Sequence, residues 1–486
     1  MYKKIGWLFL GSVLFCVLIP FGHIALQYYQ ENSYAPMQES IGCVDDASHL
    51  NCVAGVEVVS LSSDRDKTIT VLQTVLLRAK EEGKHVSIAG ARHSMGGQAL
   101  SDGIVVDMTG FSAMELQEDG LLRVQSGAKW KDIVPFLHAH NQSVLVMQTN
   151  DDFSVGGSLS VNAHGWQFDR GPISSTVQAF DLLLTTGEVL HCSRTENQEL
   201  FGLVLGGYGL FGIILDVWLE VTPNSLLRSI HAHVQLDNFL QAWEKIAQEP
   251  DIEMLYGRLK IDRDDMFQEA LITGYVRTTE DTSVEELDEI PFLELKRSVF
   301  RGSQNSNLGK KIRWNLEKWV GGESSGVYSR SMLQHEPAST YANRNPNQTD
   351  ILHEYFVPKD QVLAFVWDMA GIVNSCQIDV LNVTIRFVKE DRDTLLRYAK
   401  EDVFSFVMLF TYDKTTEMDA IMKECTTRLV DNALAHRGTF YLPYRLHPTK
   451  EQFQQAYPQY SKFAGAKDQY DPYGILHTKW YAHYVE

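Results

Sequence analysis

The sequence predicts an α+β protein with two domains, and three observations lead to that fold class. The chain has 486 residues, more than one hydrophobic core usually organises. Residues 55–224 alternate short apolar strands with helices in a glycine-rich stretch. Residues 225–440 have fewer glycines and mix strands with helices, which is typical of helices packed on an antiparallel sheet. We therefore expect a first domain at 55–224, a cap domain at 225–440, and a C-terminal segment, 441–486, that returns to the first domain.

An apolar segment near the N-terminus is predicted to cross a membrane. Lys3 and Lys4 precede residues 5–26, which contain no Asp, Glu, Lys or Arg. A helix of this length spans roughly 33 Å, enough for the hydrocarbon core of a bilayer. Basic residues before it and acidic residues after it place the globular part on the outer side. We assign 1–30 to a membrane anchor and 31–54 to a stalk, with a cleaved signal peptide as the alternative.

Charge and cysteine content exclude some classes of function. The net charge of −19 argues against general nucleic-acid binding, which needs a basic surface. Neither C-x-x-C nor H-E-x-x-H occurs, so no metal site is predicted. Cys16 lies in the apolar segment, and the remaining five cysteines cannot all pair. Cys43 and Cys52 flank a short loop and are candidates for a disulfide in an oxidising compartment.

The stretch from His85 to Gln98 is the most informative about function. An apolar strand, Val86–Ala89, leads into a turn of small residues that holds His93. We expect Gly90 to supply positive φ, and successive backbone N–H groups of such a turn form an anion-binding nest. The G-x-G-x-x-G pattern of a Rossmann dinucleotide site is absent from this turn. The pattern therefore favours a different kind of phosphate-containing ligand site.

Three further glycine-rich segments follow in order. Gly127-Ala128-Lys129-Trp130 lies between a strand, 122–125, and an amphipathic helix at about 131–140. Residues 155–165 are small and polar, and residues 206–212 lead into a β-branched and aromatic strand at 213–221. This ordered set resembles the FAD-binding domain of the vanillyl-alcohol oxidase and p-cresol methylhydroxylase superfamily. The resemblance runs from about 58 to 221 and resumes at Tyr470-Asp471-Pro472-Tyr473-Gly474.

The resemblance implies a two-subdomain FAD-binding domain of the p-cresol methylhydroxylase type, FAD as cofactor, and particular cofactor-binding residues. In many members the histidine at the position of His93 bonds covalently to the flavin. The alternative is that His93 only caps the turn or touches a phosphate. Ile213 begins the strand whose backbone pairs with the adenine in relatives. The residues implied to contact the cofactor are Ala89, Gly90, Ala91, Arg92, His93, Ser94, Gln98, Gly156, Gly157, Ser160, Asn162, His164, Gly165 and Ile213.

Candidate catalytic residues lie in the cap domain and the C-terminal segment. Related carbohydrate-oxidising enzymes place catalytic polar groups on the cap sheet above the flavin. The candidates are Glu354, Arg386, Tyr444 and His447. Arg386 would polarise a substrate oxygen or stabilise negative charge on the reduced flavin, and Tyr444 or His447 would accept the hydroxyl proton. Alternatively, each residue belongs to a salt bridge or a buried polar network.

The sequence also departs from one related group. Alditol oxidases carry an acid where Thr384 stands and a histidine where Leu409 stands, so a simple sugar alcohol is a doubtful substrate. The chain also resembles aldonolactone oxidoreductases and the decaprenylphosphoryl-ribose oxidase. We expect a membrane-anchored FAD-dependent oxidoreductase that takes hydride from an alcohol carbon of a sugar, an aldonolactone or a lipid-linked sugar. Oxygen, a quinone or a carrier protein would accept the electrons. A non-catalytic flavin-binding scaffold of the cell envelope is the alternative.

Two segments of the cap domain stand apart. Seven basic residues between 296 and 318 are interleaved with Trp314 and Trp319. Such a segment is a solvated helix face or lies on an anionic membrane surface. Residues 320–350, rich in Gly, Ser and Asn, are predicted to form a mobile loop.

Overall fold

The computed structural model describes residues 19–34, 42–279, 287, 293–323 and 326–486. Most of the predicted membrane segment, residues 5–26, lies outside these ranges, and so do residues 35–41 of the stalk. The chain is helical from residue 19 to residue 33. Within the described ranges, no helix has both the length and the apolar character that a membrane crossing requires.

Helices and strands alternate through most of the described chain. The helices are α1 Ile19–Ser33, α2 Arg65–Glu82, α3 Trp130–Ala139, α4 Val155–Ser160, α5 Gln198–Val204, α6 Phe239–Ala247, α7 Leu293–Arg301, α8 Asn307–Glu323, α9 Arg330–Leu333, α10 Val362–Ser375, α11 Thr416–Ala435, α12 Lys450–Ala456, α13 Tyr460–Tyr470 and α14 Lys479–Tyr484. The strands are β1 Cys43–Val44, β2 Val53–Ala54, β3 Glu57–Ser60, β4 Val86–Ala89, β5 Ile104–Asp107, β6 Met114–Leu116, β7 Leu122–Gln125, β8 Gln142–Val144, β9 Val177–Leu183, β10 Val189–Ser193, β11 Ile213–Leu219, β12 Val221–Pro223, β13 Leu226–Gln235, β14 Ile252–Leu259, β15 Glu269–Arg277, β16 Val327–Ser329, β17 Gln348–Pro358, β18 Asp379–Val388, β19 Val403–Asp413 and β20 Thr439–Phe440.

The first domain starts with a small parallel sheet of order β3-β5-β4. Helix α2 connects β3 to β4, as parallel strands require a crossover. The Asp64 carboxylate caps its N-terminus, and Gly83 ends it with φ +63°. Apolar residues of α2 at helical spacing pack on this sheet, with Leu72 and Leu76 fully buried. The predicted strand 86–89 is confirmed as β4.

A five-stranded antiparallel sheet of order β10-β9-β11-β7-β6 completes the first domain. Strand β11 lies at its centre and is buried along almost its whole length, as its β-branched and aromatic composition indicates. The C-terminal segment joins the parallel sheet through β4. The Val86 N–H donates to the carbonyl of Ile475 over 2.7 Å, and the His477 N–H donates to that of Val86 over 3.0 Å.

The cap domain is built on an eight-stranded sheet of order β16-β13-β15-β14-β18-β19-β17-β20, whose paired strands all run antiparallel. Helices α10 and α11 cover one face. Phe365 of α10 contacts Tyr355 and Phe406 there, at ring distances of 6.3 and 5.1 Å. Side chains alternate between the two faces of a strand, so the residues between these point to the other face, toward the first domain.

The basic segment predicted for a membrane surface or a solvated helix face is mostly turned inward. Arg297, Arg301, Lys310 and Arg313 of α7 and α8 are all buried. They pair with the carboxylates of Glu31, Asp350, Asp379 and Glu317, respectively. Both interpretations are therefore wrong for these four residues, because their charges are buried and already paired within the protein, out of reach of water and lipid.

The structure bears on two further expectations, the disulfide candidates and the loop at 320–350. Cys43 and Cys52 are bonded as expected, and a second disulfide joins Cys376 of the cap domain to Cys425 of α11. Cys192 is the free, buried cysteine of the described chain. Residues 326–350 are not a mobile loop, because they contain β16 and α9 and bury Arg330 in an ion pair with Glu253.

Candidate active site

The four glycine-rich motifs converge on the short helix α4. The Ala91 N–H of the first turn lies 3.4 Å from the hydroxyl of Ser154, which caps α4. The Val155 and Gly156 N–H groups donate to the carbonyls of Ala128 and Ser126. The fourth motif reaches the other end of α4, where the Gly206 and Tyr208 N–H groups donate to the carbonyls of Leu159 and Ser160. Segments far apart in sequence thus form one cleft wall.

Positive φ in the first turn occurs at a different residue from the one predicted. Arg92 adopts φ +56°, whereas Gly90 has no positive φ. Gly90 is required for another reason: a Cβ at this position would lie 1.9 Å from Ser154 Oγ. Glycine here permits the close approach of the turn to α4. The turn does require a glycine at position 90, but for close packing and not for the positive φ expected from the sequence.

The cleft beside α4 is lined by exposed backbone. Gly157 is exposed, Gly156 and Ser160 are half-buried, and residues 90–94 are half-buried. A Cβ at Gly157 would meet only Ser154 Oγ, at 3.0 Å, and otherwise would point into the cleft. This segment is helical, so the expected second loop is in fact α4. Bare backbone on both walls fits an extended phosphate-containing cofactor, because no side chain occupies the space.

His93 faces this cleft. Its ring stacks on Phe153 with the centroids 4.1 Å apart, and its Nε2 lies 3.2 Å from the carbonyl oxygen of Asp152. Burial lowers its pKa, with the nearby Asp152 carboxylate opposing that effect. The imidazole is therefore neutral at physiological pH, which is the form that can act as a nucleophile.

Other residues predicted to bind the cofactor have protein partners instead. The Gln98 amide donates to the carbonyls of Leu442 and Tyr444, joining the first turn to the C-terminal segment. The Asn162 amide donates to Asp391 and accepts from the Ser174 N–H. These buried amides are satisfied within the protein, so we assign them structural roles.

The remaining predicted cofactor residues fall into two groups. Ala89 and Ile213 are buried at strand ends next to the cleft, and Ser94 is half-buried in the first turn. Gly165 is needed for packing, since a Cβ there would lie 2.0 Å from the carbonyl oxygen of Met147. Its neighbour His164 belongs to the substrate side of the site.

Arg386 lies on the face of the cap sheet that points to the first domain. Its Nη2 donates to Thr149 Oγ1 over 2.6 Å, and its Nη1 donates to the carbonyl of His164 over 3.2 Å. Its Nε is buried and has no hydrogen-bond partner in the described chain. The side chain as a whole is half-buried, so its guanidinium lies at the boundary between the cap sheet and the first domain. Arg386 is therefore placed to bind a ligand oxygen between the two domains.

Glu354, His164 and Tyr444 form a polar group beside Arg386. His164 Nε2 lies 2.7 Å from Glu354 Oε1, although the approach is outside ideal hydrogen-bond directions. The Tyr444 hydroxyl donates to Glu354 Oε2 over 3.3 Å. Burial raises the pKa of Glu354, but the attraction and hydrogen bond of His164, together with Arg386, outweigh burial and lower it. Glu354 is thus a buried carboxylate with an anchored acceptor oxygen.

Tyr444 could accept a substrate proton only while it passes its own proton on to Glu354. Burial, and then the charge of Glu354, raise the pKa of its hydroxyl well above its ordinary value. The hydroxyl is therefore protonated, and it can pass a proton on to Glu354 but cannot take one up as a phenolate.

His447 is not part of this group. Its Nδ1 lies 3.2 Å from Thr426 Oγ1 and its Nε2 lies 3.4 Å from Asp419 Oδ1, both on α11. Its ring also stacks on His353, which points away from the face that carries Glu354. His447 thus lies on the α11 side of the cap sheet, apart from Arg386, Glu354 and Tyr444, and its catalytic role stays a prediction.

Several side chains near Arg386 were missed. Arg258 and Tyr256 are half-buried at alternating positions of β14, and Arg258 lies opposite Thr384 of β18. Tyr256 stacks on Trp166 with centroids 4.6 Å apart. Polar or aromatic residues at period two in an otherwise buried strand were the available signal. That signal indicates which side chains share one face of the sheet. Which ligand this face contacts depends on how the two domains pack.

Comparisons with known proteins agree with the cleft geometry. Residues 67–193 match the family described as "FAD binding domain". An uncharacterised oxidoreductase of the fasciation locus of Rhodococcoides fascians is 26% identical over 41% of this chain and 46% of its own length. Cytokinin dehydrogenase 2 of Arabidopsis thaliana is 37% identical over 29% of each chain. These alignments thus cover less than half of each of the two relatives.

A third relative aligns over most of its length. L-gulono-1,4-lactone dehydrogenase of Mycobacterium tuberculosis is 22% identical over 82% of this chain and 90% of its own length. The similarity to this protein extends beyond the four motifs and into the cap domain.

Proposed function

We propose that this chain oxidises an alcohol carbon of a sugar-derived lactone. Its residues 67–193 are an FAD-binding domain, through which the chain belongs to the vanillyl-alcohol oxidase and p-cresol methylhydroxylase superfamily. The FAD would lie along α4 and the 90–94 turn. Bound in this position, the FAD would supply the acceptor for hydride. The similarity to lactone-oxidising relatives supports this substrate class.

One observation carries the proposal. The face of the cap sheet toward the cleft presents Arg386, with an unsatisfied buried N–H, next to a Tyr444–Glu354–His164 group. An arginine, a tyrosine and a buried carboxylate that converge on one face are typical of an active site, whereas a passive scaffold does not require them together. This arrangement favours catalysis over the alternative of a flavin-binding scaffold.

The residues suggest how an alcohol would be held and deprotonated. The half-buried guanidinium of Arg386 would donate to a substrate oxygen and fix the carbon that is oxidised. As the C–H bond breaks, the substrate hydroxyl would pass its proton to the Tyr444 oxygen while Tyr444 gives its own to Glu354. The lowered pKa of Glu354 keeps the carboxylate ready to accept over the neutral range.

The shape of the site favours a ring-shaped, polyhydroxylated substrate. The stacked Trp166 and Tyr256 pair offers aromatic surface beside Arg386, and aromatic faces pack well on the apolar faces of sugar rings. Leu409 and Leu352 pair across β19 and β17 on the same face, to which they add apolar surface. These features are the basis for preferring a lactone or a pyranose or furanose sugar.

Two further proposals concern attachment and location. Covalent attachment of the flavin through His93 is supported by its neutral imidazole at the cleft. Location outside the cytoplasm, next to a membrane, is supported by two disulfides, which persist in oxidising compartments, and by the apolar segment 5–26.

A turnover assay tests the proposed function and the electron acceptor together. Purified, flavin-loaded protein would be mixed with a panel of aldonolactones, cyclic sugars and linear alditols. We expect turnover with at least one lactone or cyclic sugar, and poor turnover with alditols. Oxygen consumption identifies an oxidase, whereas reduction of a soluble quinone without oxygen consumption identifies a dehydrogenase. Turnover confined to linear alditols would contradict the proposed substrate class.

A further inference from the structure

Helix α1 turns polar side chains toward the protein and large apolar side chains outward, the reverse of an ordinary surface helix. Its polar residues His23, Gln27 and Glu31 are spaced four apart and face the protein. His23 Nε2 lies 2.6 Å from the carbonyl oxygen of Gly302, and Glu31 pairs with Arg297 over 2.8 Å. A helix of a water-soluble surface instead buries its apolar side.

The opposite side of α1 is exposed and carries its large apolar and aromatic side chains, with Gln30, Asn32 and Ser33 toward its C-terminal end. Phe21, Leu26, Tyr28 and Tyr29 are 70, 53, 50 and 75% exposed. This pattern leaves the largest side chains of the helix without a partner among the described residues. Burial of such side chains is worth about 25 cal/mol per Å² removed from water, so leaving them uncovered is unfavourable.

The apolar surface continues onto the helices that hold α1. Leu295 of α7 is 52% exposed, and Leu308 and Trp319 of α8 are 46 and 61% exposed. Thirteen large hydrophobic side chains are exposed in the described chain, and eight of them belong to α1, to Tyr34 just after it, or to α7 and α8. We call α1, α7 and α8 the helical lobe. The concentration on one lobe distinguishes this surface from ordinary scattered exposure.

Four of the seven cations of the helical lobe do not contribute to this surface, whereas Lys296 and Lys311 are exposed and Lys318 is partly exposed. Arg297, Arg301, Lys310 and Arg313 are buried against carboxylates, and Lys311 pairs with Asp264. Arg297 and Arg301 also donate to the carbonyls of residues 340–342, which fastens the lobe to the cap domain. The large exposed side chains of the lobe are therefore apolar and aromatic, and most of its cations are withdrawn from the surface.

We propose that the helical lobe is seated in the interfacial layer of a lipid bilayer. The chain immediately before α1, residues 5–18, is uncharged and apolar, so its sequence favours lipid at the place where α1 begins. Tyr and Trp are the residues that membrane–water interfaces favour, and Tyr28, Tyr29 and Trp319 are exposed here. Because four of the seven cations are buried against carboxylates, the seating depends chiefly on apolar contact, and we expect it to depend little on anionic lipid and salt.

Bromolipid quenching of tryptophan emission tests this surface directly. The flavin-loaded full chain would be reconstituted in phosphatidylcholine vesicles with brominated acyl chains, as the unmodified protein, Trp319→Phe and Trp367→Phe. Trp367 is 45% exposed but belongs to α10, away from the lobe, and is the matched control. We expect the bromine-quenched emission to fall in Trp319→Phe and to stay unchanged in Trp367→Phe, at low and high salt alike.

A charge placed in the lobe gives an independent check. Tyr29→Asp should reduce the quenching of Trp319, whereas Leu77→Asp, at a 58% exposed position of α2, should leave it unchanged. Equal quenching losses in Trp319→Phe and Trp367→Phe would overturn the proposal. So would failure of the protein to associate with vesicles, or Trp319 being open to aqueous iodide on the vesicle. Shielding of Trp319 from both iodide and bromolipid would mean that protein, such as a second copy, covers the lobe. None of these outcomes depends on catalytic turnover.

Discussion

The two walls of the site differ in what lines them: backbone groups line one wall and side chains line the other. In the first domain, backbone groups form the wall: Gly90, Gly156 and Gly157 remove side chains where the turn, α4 and the cleft meet. In the cap domain, side chains form the wall, since Arg386 and Glu354 project from a continuous sheet. The first wall is specified by the glycines themselves. The second depends on which face of each strand meets the first domain.

This contrast predicts that the backbone wall tolerates an added side chain least. Gly157→Val would fill the cleft where the cofactor would lie, while the protein itself has room for the new Cβ. We expect the variant to fold and to show no detectable flavin absorbance. Gly371→Val, on an exposed position of α10 with no neighbour within 4 Å, is the matched control and should keep its flavin. Normal flavin content in Gly157→Val would place the cofactor elsewhere.

On the side-chain wall, loss of Arg386 should have the next largest effect. Arg386→Ala removes the donor to a substrate oxygen, and we expect anaerobic flavin reduction to slow by a factor on the order of 100, with flavin content unchanged. Stopped-flow absorbance at the flavin band measures both. Arg392→Ala, at an 81% exposed side chain, should behave as the unmodified protein. An unchanged rate of flavin reduction in Arg386→Ala would contradict a role for this face of the cap sheet in the chemical step.

The Tyr444–Glu354 pair should show a smaller effect and a defined pH dependence. Tyr444→Phe interrupts the proton path, and we expect reduction to slow by roughly 10- to 100-fold. Because the pKa of Glu354 is lowered below its ordinary value of about 4.3, the rate limited by this carboxylate is retained above that value and falls only at lower pH. Reduction rates measured from acid to neutral pH check the sign. A decline that begins near pH 7 would show that another group accepts the proton.

His93→Ala is expected to have the smallest effect on turnover and to change how the flavin is held. Acid precipitation of the unmodified protein should leave yellow colour in the pellet, whereas the variant should release it to the supernatant. Without the covalent bond the flavin is a weaker oxidant, so we expect reduction to slow by about tenfold, equivalent to about 1.4 kcal/mol of activation free energy. Release of colour from the unmodified protein would contradict the covalent bond but leave the FAD site in place.

The first domain could be predicted well from sequence because its signals are local. Strands 86–89 and 122–125 were predicted with the bounds observed, and the glycine motifs identified the cleft. Where the prediction erred, tertiary packing decided the outcome. The positive φ moved from Gly90 to Arg92, and residues expected in a loop at 155–160 form α4, because Ser154 caps them against the first turn.

The cap domain was less predictable because its signals are non-local. Tyr444 and His447 are only three residues apart in sequence, yet the chain between them crosses from the cleft face to the α11 side of the sheet. The cations of α7 and α8 resembled a surface patch, because their partners, such as Glu31 and Asp379, are distant in sequence. Cys376 and Cys425 likewise carry no local indication that they pair.

The most direct test of the central claim is the reduction of bound FAD by substrate in the absence of oxygen. The yellow protein would be mixed anaerobically with each member of a panel of aldonolactones and cyclic sugars, and with dithionite as a control for flavin that can be reduced. We predict that at least one lactone or cyclic sugar bleaches the flavin. Deuterium on the oxidised carbon should slow the bleaching severalfold, because the bond from that carbon to hydrogen breaks in the reaction. A flavin that dithionite bleaches, but that no member of the panel reduces, would contradict the account.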